Sequence, residues 1–221
     1  MSWDPVWEQI FTSREWGRYP QEDVVRFIAR SFYAVPDRSA VRILEVGCGP
    51  GSGASWFVAR EGFTLCGIDG SETAIEKARR RFDAEGLRGE FVQGDIARLP
   101  WPEASFDGVL DVGCLGCNSE AETREIVREI HRVLKPDGRH FSFTMKAGSW
   151  GDGAGTRLDP TTLTGSSEGP YAGMGKVRFA TEESLRRIYQ DFVDLNLEYL
   201  VQSAASRTRD VAHWVVTCRK P

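Results

Sequence analysis

The sequence predicts an α/β fold in which a mostly parallel sheet is flanked by helices. From about residue 41, short apolar segments typical of strands alternate with segments of helical periodicity, the pattern of right-handed βαβ units. The first predicted strand runs into a glycine-rich turn, and each of the next two ends in an aspartate. Because the carboxyl ends of parallel strands meet at one edge of a sheet, these features predict a ligand site there.

The first predicted elements are a helix, a strand and a second helix. Val24, Ile28 and Phe32 recur at helical spacing within residues 23–33, which indicates an amphipathic helix before the sheet. After the first strand, apolar residues recur at helical spacing behind Ser71. The predicted parallel strands end, in chain order, near Val46, Asp69, Asp95, Asp111 and Lys146.

The second half of the chain begins with a helix start signal. Ser119 and Glu122 form a capping-box pattern ahead of an apolar helical stripe, which ends near residues 135–138. A strand is predicted over 140–146 and a helix from Thr181. The last two strands, 195–202 and 211–218, should form a hairpin, so that the last strand is antiparallel to the others.

The turn that follows the first strand carries the strongest functional signal. Residues 43–53 read ILEVGCGPGSG, in which glycines allow positive φ and let a ligand approach the main chain closely. The helix that follows offers unpaired N–H groups at its N-terminus. The segment 49–54 also fits G-x-G-x-x-G/A, the dinucleotide fingerprint, so this match alone leaves NAD or FAD open.

The motifs around this turn resemble those of class I S-adenosylmethionine-dependent methyltransferases, bacterial enzymes of the small-molecule type among them. The resemblance covers roughly residues 40 to 146 and consists of ordered motifs: E-x-G-C-G-x-G at 45–51, G-x-D at 67–69, G-D-I at 94–96, FDGVLD at 106–111 and the helix, turn and strand of 130–139. It implies a Rossmann-like three-layer sandwich with a seven-stranded, mostly parallel sheet and an antiparallel last strand.

The resemblance also implies S-adenosyl-L-methionine as the cofactor and assigns residues to it. Asp69 would accept from the ribose hydroxyls in charge-assisted hydrogen bonds, and Asp95 from the adenine amine. The Gly47 backbone and the Asp111 carbonyl would meet the methionine ammonium, while Glu45 orients the loop. The predicted cofactor-binding set is Trp16, Tyr19, Glu45, Gly47, Gly49, Gly51, Asp69, Gly70, Asp95, Ile96 and Asp111.

Length and composition predict one soluble domain over residues 1–221. We expect an N-terminal helical cap (1–40), a cofactor-binding core (41–146), an inserted lid (147–178) and a C-terminal helix with a hairpin (179–221). The net charge of −4, without a Lys/Arg block, argues against a nucleic-acid partner. No apolar run is long enough for a membrane span, and the sequence starts without a signal peptide.

The five cysteines favour a reduced, cytoplasmic protein, since their odd number and scattered spacing do not suggest a disulfide framework. Cys114 and Cys117 have C-x-x-C spacing but lack a second cysteine pair or nearby histidines, so no metal site is predicted. The oligomeric state stays open between a monomer and a homodimer.

The segment 147–178 is predicted to be a substrate lid. It is rich in glycine, shows no helical or strand periodicity, and leaves the sheet at the ligand edge. A surface insertion without function is the alternative. The aromatic N-terminal segment either packs on the domain or closes over the cofactor, and the family resemblance selects Trp16 and Tyr19 for the second role.

Of the three histidines, His213 is the candidate general base. An antiparallel last strand would start beside the carboxyl ends of the parallel strands, which brings His213 to the lid; a packing role is the alternative. His131 and His140 are assigned structural roles. The predicted function is methyl transfer to a small polar acceptor through a hydroxyl or amine, such as a sugar or a related metabolite. The alternatives are an NAD(P)-dependent oxidoreductase and a non-catalytic cofactor-binding module.

Overall fold

A computed structural model describes residues 3–221 of the chain, so the first two residues of the predicted cap lie outside it. Seven strands form a sheet in the order β3-β2-β1-β4-β5-β10-β9. They are β1 (Arg42–Val46), β2 (Thr64–Asp69), β3 (Glu90–Gln93), β4 (Phe106–Val112), β5 (Leu134–Met145), β9 (Val193–Ala204) and β10 (Arg209–Arg219). β1 to β5 are parallel, and β10 is antiparallel to both β5 and β9. The predicted seven-stranded sheet with an antiparallel last strand is confirmed.

Helices cover both faces of this sheet and give the three layers. The helices are α1 (Val6–Ser13), α2 (Glu22–Phe32), α3 (Ala54–Arg60), α4 (Glu72–Glu85), α5 (Glu120–Val133) and α6 (Glu182–Ile188). Side chains of α2, α3 and α4 share one buried cluster with the sheet, and those of α5 and α6 share the other. Strand β1 supplies both clusters, because Ile43 faces the first and Leu44 the second.

Local signals in the sequence explain the helix boundaries. Ser119 caps α5 in a complete capping box with Glu122, as predicted. Thr181 caps α6 through a hydrogen bond from the Ser184 amide, and Gly86 ends α4 in the left-handed conformation. Strand β5 starts earlier than predicted, at Leu134, because Leu134 already pairs with Phe106 before a register shift.

The insertion 147–178 is more ordered than its composition predicted. It contains β6 (Thr156–Arg157), β7 (Thr162–Thr164) and β8 (Lys176–Arg178), which form a small antiparallel sheet. Buried Leu163 and Val177 pack with Met145 and Phe179 in a hydrophobic cluster of their own. The strands were missed because each has only two or three residues, too few to show a period of two. No helix in the described part of the chain has the length and apolarity required to cross a membrane.

Candidate active site

A cavity of about 970 Å³ opens at the carboxyl edge of the parallel strands. The glycine turn after β1, the ends of β2 and β3 and the loop after β4 form one side of it. The N-terminal segment, the insertion and the hairpin of β9 and β10 form the other side. Ligand pockets in proteins span roughly 300–1,000 Å³, so this cavity has room for two ligands side by side.

The glycine turn has the close-packed backbone that its sequence predicts. Gly47 has φ +66°, and a Cβ placed on it would lie 2.3 Å from the Cys114 Cβ, so only glycine fits. The Gly47 and Cys48 amides both donate to the Ile68 carbonyl, at 2.8 and 3.1 Å. The turn is therefore fixed to the end of β2, with Gly47 lining the cavity.

Asp69 lies at the end of β2 and lines the cavity. One carboxylate oxygen accepts from the Gly49 amide at 2.9 Å, and the other accepts from the Ser71 amide at 2.9 Å. Burial raises the pKa of Asp69 to about 6, even though these amide hydrogen bonds favour the charged form. Each oxygen has a further lone pair, which leaves the carboxylate able to accept from a ligand diol.

Asp95 and Ile96 line the cavity in the turn that follows β3. An Asp95 oxygen accepts from the Ala97 amide at 3.0 Å, which holds the turn in shape. Gly70 lines the cavity next to Asp69, and a Cβ on it would lie 2.3 Å from the Trp3 ring. The residues predicted at the ends of the second and third strands therefore line the same cavity.

Glu45 is a buried carboxyl group in the wall of the cavity. The Ser55 hydroxyl of α3 donates to it in a short hydrogen bond. Burial, with smaller contributions from the nearby Asp111 and Asp69 carboxylates, raises the pKa of Glu45 to about 8, against the lowering effect of Ser55. A cation in the cavity would relieve this accumulation of negative charge.

Two residues of the predicted cofactor set do not line the cavity. Gly51 packs against α4, where a Cβ would lie 2.9 Å from the Ala78 Cβ. The Asp111 carboxylate is buried and accepts from the Leu115 amide at 2.9 Å and the Ser142 hydroxyl at 2.6 Å. The Asp111 carboxylate therefore fixes the loop after β4, while the contact predicted for its backbone carbonyl stays a prediction.

The N-terminal segment forms an aromatic wall of the cavity. Trp16 and Tyr19 both line it, although Tyr19 remains 77% exposed. Glu8 of α1 accepts from the Ser71 and Thr73 hydroxyls at the start of α4. The sequence analysis missed this tether, because a glutamate on a short helix gives no signal of a partner 63 residues away.

His213 lies on β10 opposite Met145, the last residue of β5, and lines the cavity. Its ring stacks on Phe143 with centroids 4.4 Å apart, and burial lowers its pKa. The imidazole is therefore neutral at pH 7, the state that a base requires. His140 is fully buried with its Nδ1 2.9 Å from the Val109 carbonyl, and His131 packs on Phe192, so both have structural positions.

The structure adds residues at the far side of the cavity that the sequence analysis did not select. Asn118 follows the short 3₁₀ turn after β4, and Tyr171 and Met174 come from the insertion. Leu200 and Val201 of β9 complete this side. Asn118 lies in a loop at the ligand edge of the sheet, a position that could have singled it out from the sequence. The other four residues come from distant segments, and only the tertiary fold brings them to the cavity.

The sheet order and the glycine turn, with acidic residues near the ends of β1 and β2, are those of the Rossmann-like α/β fold found in class I methyltransferases. Comparison of sequences agrees, since residues 43–138 match the model of the methyltransferase domain family. Residues 43–138 are thus a methyltransferase domain, and S-adenosylmethionine is the cofactor of that domain. The alternative of an NAD(P)-dependent oxidoreductase receives no support.

Similar proteins place this domain among diverse relatives. The chain is 39% identical over 112 residues to a fatty-acid O-methyltransferase of Mycolicibacterium smegmatis, a match that spans 50% of this chain and 39% of the relative. A methyltransferase structure from Methanosarcina mazei covers 93% of this chain at 21% identity, with 99% of its own chain matched and a TM-score of 0.70. The [4+2]-cyclase SpnF has the same fold, with a TM-score of 0.65 at 20% identity over 98% of this chain and 93% of its own.

The residues in the cavity fit S-adenosylmethionine. The cofactor carries positive charge on its sulfonium and ammonium groups, and the cavity wall supplies the buried carboxyl groups of Glu45 and Asp69. A side chain at Gly47 or Gly70 would collide with Cys114 or Trp3, so glycine keeps the backbone of both turns close to the cavity. Glu45, the Gly47 carbonyl, Asp69, Asp95 and Ile96 would hold it, while Gly49, whose amide binds Asp69, keeps the turn closed.

Proposed function

We propose that the protein transfers the methyl group of S-adenosylmethionine to an oxygen or nitrogen atom of a small-molecule acceptor. One observation supports this most strongly: the cavity continues from the cofactor cradle to His213 and the insertion without a dividing wall. A cofactor and an acceptor would lie in one enclosed space. The hydroxyl or amine acceptor of the sequence analysis stays a prediction.

When bound, the cofactor supplies a methyl group activated by its sulfonium, so that the protein has to align the acceptor and exclude water. The Gly47 turn and Asp69 would hold the donor on one side. The Trp16 wall and the insertion would cover the other side, which removes solvent from the reacting atoms. Asp111 keeps the loop after β4 in place through the Leu115 amide.

A protic acceptor has to lose a proton during transfer, and His213 is placed to take it. Its imidazole lines the cavity, is neutral at pH 7 because burial lowers its pKa, and is held flat by Phe143. The Tyr171 hydroxyl lies across the cavity near Gly113, where a Cβ would come within 2.8 Å of it. This arrangement supports His213 as the base and Tyr171 as a second polar contact.

The walls near His213 support an acceptor with an apolar body in preference to a sugar. Phe143, Met174 and Val211 line this part, together with exposed Leu200 and Val201. The five cysteines, which are all free, support the predicted reducing, cytoplasmic location.

A non-catalytic cofactor-binding module remains the second candidate, since the fold alone does not imply methyl transfer: SpnF has this fold and is named for a cyclisation. Calorimetry with S-adenosylmethionine, S-adenosylhomocysteine, NAD and NADP tests the binding step. We expect both adenosyl compounds to bind and both dinucleotides to bind far more weakly. Label transfer from methyl-labelled S-adenosylmethionine into a panel of hydroxylated and amino compounds then tests catalysis.

His213→Asn tests the chemical step separately from binding. Loss of a general base lowers kcat by roughly 10²–10⁴-fold, while the affinity for S-adenosylhomocysteine should stay the same. The pH profile of kcat should also lose its limb on the acidic side. His131→Asn is a matched control, because His131 lies on α5 outside the cavity. Turnover within a factor of about two of the parent protein would refute general-base catalysis by His213.

A further inference from the structure

Asn118 is a buried side chain whose hydrogen-bonding capacity is only half used. It is 3% exposed and lines the cavity. Its Nδ2 donates to the Cys114 carbonyl at 3.0 Å, which fixes the orientation of the amide, while Oδ1 has no partner. A buried carbonyl oxygen without a donor is costly, so a ligand that donates a hydrogen bond at this point would be favoured.

The charged residues that line the cavity also disfavour an anionic acceptor. Apart from one arginine, the charged lining residues are all acidic: Asp4, Glu22, Asp23, Glu45, Asp69 and Asp95. The arginine is Arg26, which is exposed at the rim and pairs with Glu22 at 2.5 Å. Among the described residues, no other lysine or arginine reaches the cavity to receive an anion. An acceptor with a carboxylate or phosphate would lie there without a counter-charge from a protein side chain.

The wall from Asn118 outward is apolar. Phe143, Met174 and Val211 line the interior, and Leu200 and Val201 of the edge strand β9 lie at the mouth. Leu200 is 46% exposed and Val201 is 56% exposed, an unusual amount of open apolar surface for neighbouring residues of one strand. Leu200 pairs with His213 and so lies on the same face of the sheet, where an apolar group that extends from the cavity past His213 would cover it.

We propose that the acceptor is a non-anionic, largely apolar molecule that donates an O–H or N–H hydrogen bond to Asn118 Oδ1 and extends its apolar part over Leu200. Asn118 is then the specificity-determining residue, because its fixed carbonyl oxygen accepts from a protonated group and repels a carboxylate. This inference rests on the proposed methyl transfer and adds the class of acceptor.

Equilibrium binding to the protein saturated with S-adenosylhomocysteine tests the inference without turnover. The neutral apolar dye Nile red serves as the reporter, and 1-decanol and decanoate compete with it at pH 7.5. We expect 1-decanol to displace the dye at concentrations at least about tenfold lower than decanoate, since an unpaired carboxylate is costly to desolvate. Equal or stronger competition by decanoate, or no dye binding at all, overturns the inference.

Variants test the hydrogen bond to Asn118 separately from the apolar contact with Leu200. Asn118→Leu should weaken 1-decanol by roughly three- to tenfold, the scale of one hydrogen bond, with S-adenosylhomocysteine affinity retained. Unchanged 1-decanol affinity, or lost S-adenosylhomocysteine affinity in a folded variant, would show that Asn118 does not hold the acceptor.

A second pair of variants keeps the test valid if Asn118→Leu does not fold. Leu200→Asp places a charge at the mouth, while Leu158→Asp makes the same change at another leucine, 52% exposed and outside the cavity. We expect 1-decanol and Nile red to bind more weakly only to Leu200→Asp; equal affinities of the two variants overturn the inference. Failure of the parent protein to bind S-adenosylhomocysteine in calorimetry would instead reject the proposed function.

Discussion

At the scale of single residues, the site depends on carboxyl groups held under unusual conditions. Asp69 combines burial with two amide hydrogen bonds, and Glu45 is buried beside two other carboxyl groups. Neither environment is visible in the sequence, which shows only an acidic residue at the end of a strand. Both environments favour a positively charged ligand that also donates hydrogen bonds.

Asp69→Asn tests the predicted ribose contact. Loss of hydrogen bonds to a charged acceptor costs about 1.5–3 kcal/mol, so the Kd of S-adenosylhomocysteine should rise roughly 10- to 150-fold in calorimetry. Asp107→Asn is a suitable control, because Asp107 pairs with Lys135 away from the cavity. An unchanged Kd for the Asp69 variant would remove this residue from the binding site.

Glu45 makes cofactor binding depend on pH. Its pKa is about 8 in the ligand-free protein, so it is mostly protonated at pH 7, and the ammonium of the cofactor should lower that pKa. Binding then releases a proton, and affinity should rise between pH 6.5 and 8. Calorimetry at pH 7 in buffers of different ionisation enthalpy measures this release, which Glu45→Gln should abolish.

At the scale of elements, short strands and long-range tethers decide how the cavity is closed. The insertion has its own sheet and hydrophobic cluster, and Lys176 pairs with Glu122 of α5 at 2.7 Å. α1 is tethered to α4 through Glu8. Two sides of the cavity are therefore formed by the N-terminal segment and the insertion, which both lie outside the cofactor-binding core 41–146.

Hydrogen exchange tests the predicted lid role of residues 147–178. The turns around Pro170 and Met174 line the cavity, whereas β7 and β8 pack in the cluster with Met145. We expect fast exchange around 165–175 without ligand and slower exchange with S-adenosylhomocysteine and 1-decanol together, while β7 stays protected throughout. Slow exchange in every state would identify the insertion as a rigid wall.

At the scale of the whole molecule, ligand binding and pH both change the free energy of unfolding. Between pH 6.5 and 8, Glu45 is the described carboxyl group whose raised pKa still matters, because Asp69 and Asp111 titrate near 6. A carboxyl whose pKa is raised on folding contributes stability at low pH and loses it as pH rises through the folded value. The ligand-free protein should therefore become less stable from pH 6.5 to 8.

Thermal unfolding measures both effects. S-adenosylhomocysteine at about 100 times its Kd adds about 2.7 kcal/mol, which raises the Tm by roughly 5–11 °C for a chain of this size. At one fixed S-adenosylhomocysteine concentration, the increase should be larger at pH 8 than at pH 6.5, and NAD at that concentration should leave the Tm unchanged. A larger shift with NAD would contradict the assignment of the cofactor.

The sequence by itself determined the sheet, the glycine turn and the carboxyl groups at Glu45, Asp69 and Asp95, because each depends on local periodicity or on a motif within one βα unit. It also brought His213 to the ligand edge, since a hairpin fixes the direction of the last strand. Only the tertiary structure decided that Asp111 and Gly51 lie behind the cavity, and that Asn118, Tyr171 and Leu200 share its far side. Those outcomes depend on packing between segments distant in the chain, and a single sequence carries no local signal of such contacts.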